Sequence, residues 1–188
     1  MKCRNAYFLL LSGELLWLSL LVITPYLAAR HNSLSSFFYY FFSHFCHQRP
    51  ERSLFLFQNQ LPVCARDTAL YAAAFISSIA YPFFRKLCTP TMPSLRYLAL
   101  FLLPMAVDGG TQLLGLRESS NTLRVITGGI AGLAVPFYFI PLMMASSSVE
   151  VEDSHSTNRE GIDQITQTIS HNRDKSKDYL DNEEETEY

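Results

Sequence analysis

Four long apolar stretches restrict this chain to a small number of folds. They cover residues 6–29, 68–84, 97–116 and 125–145. A helix needs roughly 20 mostly apolar residues to cross a bilayer, and the stretches reach or nearly reach that length. We therefore expect an all-α integral membrane bundle of four transmembrane helices. Residues 1–145 would form this membrane-embedded domain.

The first stretch carries two features of its own. Lys2 and Arg4 precede it, as in a signal peptide or a signal anchor. The run is longer than a usual signal core and lacks a clean cleavage site, so we expect an uncleaved span. Glu14 lies inside it, and a carboxylate within a membrane helix is either a functional group or a hydrogen-bonded packing residue.

Two segments differ from the apolar stretches. Residues 33–45 are aromatic and too short to span, which is typical of an interfacial helix. Residues 146–188 contain twelve acidic and four basic residues, a formal charge of −8, while the remainder of the chain sums to +6. A polar, acidic segment poor in aromatic residues cannot bury enough apolar surface to fold. We expect a disordered acidic tail.

Four spans would place both termini on one side of the cell membrane. The positive-inside rule favours the cytoplasm, because one set of connections holds Lys2, Arg4, Arg85, Lys86 and Arg96. The opposite side also carries arginines, so the charge count alone does not decide the orientation. Nucleic acid is not an expected partner, since the basic residues stand beside spans and the tail is acidic. The lipid bilayer is the expected one.

Most of the reactive side chains outside the tail lie in residues 44–67. Four of them are competent ligands for zinc or another transition metal: Cys46, His47, Cys64 and Asp67. Cys46 and Cys64 would instead form a disulfide in an oxidising compartment. A third alternative is that these residues neither bind a metal nor form a disulfide.

A second polar group follows the third stretch and would lie on the same side of the membrane. Arginines beside carboxylates suit an anionic head group or an ion-pair network. The candidate binding residues of the two groups are Arg49, Arg52, Arg66, Gln112, Arg117, Asn121 and Arg124. Asp108 and Glu118 are candidates for a general base or a further ligand. Asp108 lies within an apolar stretch, so we expect it to face inward and to pair with an arginine, Arg124 or Arg52 in particular, or to point toward a bound ion.

Four ordered motifs carry a resemblance to a known family. They are Cys46-His-Gln-x-Pro-Glu-Arg-Ser53, Pro62-Val-Cys-Ala-Arg66, Asp108-Gly-x-x-Gln112, and Glu118-Ser-x-Asn-x-x-Arg124 with Thr127-Gly128. Over about residues 35–135 the chain resembles an uncharacterised family of small predicted integral membrane proteins, domain of unknown function 2085. The resemblance implies a multi-helical membrane protein and no particular activity. Many members carry a second cysteine where this chain has Asp67, which favours a mixed Cys/His/Asp ligand set over a thiolate-rich one.

Two functions are compatible with these residues. One is a metal-dependent membrane enzyme that acts on an amphipathic or lipid-linked anionic small molecule at the membrane surface. The other is a non-catalytic transport or assembly factor whose loop is braced by a disulfide or a metal.

Overall fold

The computed structural model describes residues 3–87, 89 and 91–145. This part of the chain is mostly helical. Its helices are α1 (Cys3–Ala29), α2 (Leu34–Ser43), α3 (Ala65–Phe84), α4 (Leu95–Leu113) and α5 (Asn121–Ala145). Contacts group Met1–Met144 into one compact unit. The predicted tail, residues 146–188, lies outside the described residues.

A small hairpin departs from the all-α prediction. Strands β1 (Ser53–Leu56) and β2 (Asn59–Cys64) pair antiparallel, with Ser53 opposite Cys64. A single 3-10 turn, Pro50–Arg52, precedes them. The two connecting residues, Phe57 and Gln58, have φ values of 53° and 59°, a left-handed conformation that normally selects glycine or asparagine. The sequence therefore lacks the usual turn signal, which is why the hairpin was not predicted.

Local signals explain where the later helices begin and end. After α4, Gly115 adopts a φ of 68°, and the Leu116 N–H donates to the Thr111 carbonyl at 3.0 Å. This left-handed cap ends the helix before the predicted residue 116. The Ser120 Oγ accepts a hydrogen bond from the Leu123 N–H at 3.3 Å, so Ser120 caps the start of α5.

Helices α3 and α5 approach each other closely through two glycines. A Cβ atom at Gly128 would overlap the Arg66 carbonyl, and one at Gly132 would overlap the Leu70 carbonyl. The Ser77 hydroxyl also donates to the Leu133 carbonyl at 2.8 Å. Small residues at this spacing let two helix backbones meet. The contact fixes the first turn of α3 against α5.

Two apolar clusters tie α1 to the remaining elements. Leu21, Phe42 and Val63 are buried together and join α1, α2 and β2. Tyr7, Tyr81 and Ile140 form the second cluster, which joins α1, α3 and α5. Trp17 of α1 packs against the first of these clusters.

Two helices in the described part of the chain are long and apolar enough to cross a membrane. They cover Arg4–Ala29, with mean hydropathy 2.0, and Asn121–Ala145, with mean hydropathy 1.8. Helices α3 and α4 contain 20 and 19 residues, but neither is long and apolar enough to count as a candidate span. The prediction is thus confirmed in part. The chain is mostly helical and has two candidate spans among the described residues, and the number of four spans is not confirmed.

Candidate functional site

A polar cavity of about 400 Å³ forms where the 44–67 connection meets α3, α4 and α5. We call it the arginine cavity. Of the residues predicted from the sequence, it is lined by Cys46, His47, Arg49, Arg52, Cys64, Arg66, Asp67, Gln112 and Arg124. The tertiary structure thus brings together the two polar groups that lie far apart in the sequence.

The junction of β2 and α3 positions the sulfur and carboxylate groups of this cavity. Cys64 ends the strand and occupies the N-cap position of α3, so Arg66 and Asp67 follow on its first turn. The Cys64 N–H donates to the Cys46 sulfur at 3.2 Å. The Cys64 thiol donates to Asp67 Oδ2, also at 3.2 Å. Cys46, Cys64 and Asp67 form what we call the thiol cluster.

The thiol cluster has the dimensions of a metal site. One ligand atom from each residue lies within 4.8 Å of the others, and both cysteines are free thiols. A hydrogen bond between the side chains of Cys64 and Cys46 lowers the pKa of Cys46 to about 7. That same bond, together with burial, raises the pKa of Cys64. The Cys46 thiolate, which is the form that binds metals, is therefore accessible near neutral pH.

His47 lines the cavity but stands apart from the thiol cluster. Its side chain is exposed, and the group whose ligand atoms lie within 4.8 Å of one another contains only Cys46, Cys64 and Asp67. Two sulfurs and one carboxylate supply three of the four ligands of a tetrahedral zinc site. A fourth ligand would come from a mobile side chain, a solvent molecule or a bound substrate.

Neighbouring glutamine side chains hold the loop that carries Cys46. Gln48 adopts a φ of 49°, and its side-chain amide donates to the Tyr39 carbonyl at 2.6 Å. The Gln60 side-chain amide donates to the Gln48 carbonyl at 2.6 Å. These bonds fasten the loop between α2 and β2. Sequence reasoning did not select Gln48 as a site residue, although it lies within the first family-like motif.

Asp108 is buried and accepts hydrogen bonds from two arginines. Its carboxylate is 2% exposed, and it pairs with Arg66 through Oδ2 and with Arg117 through Oδ1, the latter at 2.8 Å. The expectation of an inward-facing carboxylate paired with arginine is confirmed. The expected partners, Arg124 and Arg52, were wrong. The left-handed turn at Gly115 folds Arg117 back onto the end of α4, and the α3–α5 contact positions Arg66.

Arg124 has no comparable carboxylate. It is 4% exposed, and its Nη1 donates to Asn121 Oδ1 at 3.1 Å. Within residues 3–87, 89 and 91–145, the ion pairs formed are those of Arg66 and Arg117 with Asp108, and they leave Arg49, Arg52 and Arg124 without a carboxylate. Two further donors are buried without a partner, Arg66 Nε and Gln112 Nε2. The cavity thus has an excess of positive charge and hydrogen-bond donors.

Four predicted site residues do not line the cavity: Asp108, Arg117, Glu118 and Asn121. Glu118 is exposed. Arg117 is 47% exposed and holds Asp108. Asn121 links Arg124 to the hairpin, since its side-chain amide donates to the Ser53 carbonyl at 3.4 Å. Asp108 influences the cavity through its ion pair with Arg66, which lines the cavity. Apolar wall residues that sequence reasoning did not select are Phe45, Met105 and Leu113.

Comparisons with known proteins add a family and two relatives. Residues 46–138 match the profile of the family described as "Predicted membrane protein", domain of unknown function 2085. An uncharacterised protein of Methanocaldococcus jannaschii is 42% identical over 145 residues, which cover 74% of this chain and 93% of the relative. An uncharacterised protein of Methanothermobacter thermautotrophicus is 37% identical over 94 residues, covering 50% and 83% of the two chains. No solved structure matches the chain.

Proposed function

Because the chain belongs to the family of predicted membrane proteins called domain of unknown function 2085, we propose that it is a multi-pass membrane protein that binds an anionic ligand in the arginine cavity. The ligand is an amphipathic or lipid-linked small molecule with an anionic head group. The observation that carries this proposal is the buried Arg124, which has no carboxylate partner among the described residues.

In the proposed arrangement, four helices cross the cell membrane: α1, α3, α4 and α5. Length and apolar composition alone do not identify α3 and α4 as spans. Their exposed apolar side chains support the proposal that both helices cross the membrane. On α3 they include Ile76 and Phe83, and on α4 they include Leu100 and Leu103. Both termini are then cytoplasmic. Helix α2 lies at the membrane interface on the opposite side, and the arginine cavity lies at that same surface.

The charge of the cavity supports an anion as the ligand. A buried guanidinium group without a counter-ion loses its hydration and gains no compensating Coulomb attraction. Arginine presents a planar set of N–H donors that matches phosphate and carboxylate oxygens. Arg124 uses one donor on Asn121, which leaves others for a ligand. Arg49 and Arg52 line the same cavity and would bind the anion from the hairpin side.

The thiol cluster adds a second element to this proposal. Cys46, Cys64 and Asp67 would hold zinc or another transition metal, with His47 or a ligand oxygen completing the coordination. A metal held there would act as a Lewis acid on a ligand bound by the arginines. The catalytic form of this proposal is a metal-dependent membrane enzyme, for which the sequence suggested Asp108 or Glu118 as the general base.

One observation favours the second candidate, a non-catalytic transport or assembly factor. Asp108 is held by two guanidinium groups, and Glu118 is exposed and does not line the cavity. Neither carboxylate is therefore placed to accept a proton from a ligand in the cavity. Anion binding does not require a base, so it is common to both candidates and is the first function to test.

Anion binding is tested by thermal unfolding of the full chain in detergent. We expect inorganic phosphate, or a short-chain phosphatidic acid, to raise the melting temperature, and Arg124→Gln to weaken the apparent affinity about tenfold or more, as loss of a charge-assisted hydrogen bond would. Arg30→Gln is the matched control, because Arg30 is exposed and stacks on Tyr26 outside the cavity. Preference for phosphatidic acid over phosphate identifies a lipid head group. No stabilisation by either probe contradicts the proposal.

Metal binding is tested with Co²⁺, whose bonds to thiolates produce charge-transfer absorption. One equivalent of Co²⁺, displaced by Zn²⁺, supports a metal site, and Cys64→Ser should abolish the thiolate bands. His47→Ala tests whether His47 completes the coordination of the metal. His44→Ala is its control, because the exposed His44 ring contacts Tyr40 outside the thiol cluster. A metal-free protein in which Cys46 and Cys64 are oxidised to a disulfide would instead support the non-catalytic candidate.

A further inference from the structure

The charges around Arg124 indicate how much negative charge a ligand of the arginine cavity carries. Arg52 and Arg66 line the cavity together with Arg124 and repel its guanidinium group, whereas Asp108 attracts it. These three arginines and one aspartate have a net charge of +2. They come from the hairpin region, α3, α4 and α5, so the positive charge is collected at one place by the tertiary structure.

The other charged groups near the cavity do not remove this excess. Asp67 lines the cavity and adds one negative charge, while Arg117, which pairs with Asp108 at 2.8 Å, adds one positive charge. Arg49 also lines the cavity, but it is exposed, so solvent and salt screen it. A singly charged head group would therefore leave a buried positive charge without a counter-ion, which is unfavourable. A doubly charged head group would neutralise it.

The wall of the arginine cavity also has an apolar part. It consists of Phe45, Met105 and Leu113. Phe45 is 57% exposed and Leu113, the last residue of α4, is 88% exposed, so both lie at the open side of the cavity. A free inorganic anion would leave these side chains in contact with water. A hydrocarbon chain attached to the head group would cover them, and burial of apolar surface is favourable.

We propose that the ligand of the arginine cavity is a lipid that ends in a phosphate monoester. This inference rests on the proposed anion site and names the class of its ligand. A phosphate monoester carries about −1.5 to −2 charge near pH 7 and has three strong acceptor oxygens. A phosphodiester, as in most membrane phospholipids, carries a single charge and has one free oxygen fewer. The cavity therefore selects the monoester from a membrane surface that is rich in diesters.

The experiment compares dodecyl phosphate with its methyl ester, dodecyl methyl phosphate, as ligands of the full chain in an uncharged detergent. The two probes share one hydrocarbon chain and differ in charge. Above the second ionisation of the monoester, at about pH 7.5, we expect dodecyl phosphate to bind about tenfold more tightly or better. At about pH 5 the monoester is mostly singly charged, so the affinity ratio should fall toward one.

The affinity ratio, rather than either affinity alone, is the quantity that decides. Cys46, His47 and Asp67 line the cavity and can change their own charge with pH, but they act on both probes in the same direction. The arginines remain charged throughout. The change of the ratio with pH therefore reports the second ionisation of the phosphate monoester.

Arg52→Gln tests the charge count. Glutamine keeps a hydrogen-bond donor but removes one positive charge, so we expect a lower ratio of monoester to diester affinity at about pH 7.5. Arg30→Gln is the matched control, because Arg30 is exposed and stacks on Tyr26 outside the cavity. It should leave the ratio unchanged.

Leu113→Asn tests the contact with the hydrocarbon chain. It should weaken the binding of dodecyl phosphate and leave the binding of inorganic phosphate unchanged. Leu114→Asn is the matched control, since Leu114 is 74% exposed but does not line the cavity.

Two results would overturn this inference and leave anion binding intact. One is equal affinity of the wild type for monoester and diester at about pH 7.5, which would show that the second charge of the monoester is not used. The other is inorganic phosphate that binds as tightly as dodecyl phosphate, which would identify a free anion as the ligand. Failure of every probe to bind would contradict the proposed anion site itself. If Arg52→Gln does not fold, the pH dependence of the ratio in the wild type still decides.

Discussion

The buried carboxylate Asp108 shows how one residue organises the polar end of the bundle. It is 2% exposed and receives guanidinium groups from α3 and from the α4–α5 connection. These ion pairs hold Arg66 at the arginine cavity and neutralise part of the positive charge of the cavity. The remaining arginines keep their charge for a ligand. Asp108 is thus a positioning residue in the proposed anion site.

Replacement of Asp108 by asparagine should strongly destabilise the protein. The side chain keeps its shape, but Arg66 and Arg117 lose their shared counter-ion, and breaking a buried ion pair by removing one partner costs about 3 kcal/mol. The free energy of unfolding in mixed micelles measures the effect. Arg117→Gln should cost less, because Arg117 is 47% exposed. Equal stability of Asp108→Asn and the wild type would contradict the structural role.

At the scale of elements, the contact between α3 and α5 determines where the site residues stand. Gly128 meets the backbone of Arg66, and Gly132 meets the backbone of Leu70. The first contact lies beside the arginine cavity, which Arg66 lines, and the second lies beside a cavity of about 340 Å³ between α1, α3 and α5, which Leu70 lines. The glycine pair therefore supports the proposed anion site, although neither glycine touches a ligand.

Gly128→Ala should destabilise this helix pair and disturb the arginine cavity. The added methyl group would overlap the Arg66 carbonyl, and backbone cannot move aside as a flexible side chain can. Overpacking of this kind costs about 1–3 kcal/mol. Gly129→Ala is the matched control, since a methyl group there meets nothing within 4 Å and alanine favours helix. The measurement is unfolding in detergent. A Gly128→Ala protein as stable as Gly129→Ala would refute the close contact.

At the scale of the whole molecule, the arrangement of the chain in the membrane follows from the number of crossings. The structure brings the 44–67 connection and the start of α5 to one cavity. Two crossings between them, by α3 and α4, would allow this without strain. The exposed apolar side chains of α3 and α4 suit contact with lipid, as a four-span bundle requires.

Cysteine labelling in intact membranes tests the four-span arrangement. Single cysteines at the exposed positions Ser33, Glu51 and Thr91 are introduced into a chain whose native cysteines are replaced by serine. We expect a membrane-impermeant maleimide to label the first two from the same side and Thr91 from the other. Labelling of Ser33 and Glu51 from opposite sides would mean that α2 crosses the membrane.

The sequence alone determined the features that depend on local composition. Apolar runs located the helices to within a few residues, because helix formation and burial follow from the side chains of one segment. The clustering of cysteines and arginines in residues 44–67, and its expected approach to Gln112 and Arg124, also followed from the order of polar and apolar stretches.

The tertiary structure decided which side chains meet. Asp108 pairs with Arg66 and Arg117, and His47 lies outside the thiol cluster. Glu118 is exposed, and the hairpin turns without a glycine. The tertiary structure also placed Glu14 and Trp17 in the wall of a largely apolar cavity between α1, α3 and α5. These outcomes depend on distances of a few ångströms between segments far apart in the chain. Backbone contacts such as that of Gly128 with Arg66 set those distances, and no local pattern encodes them.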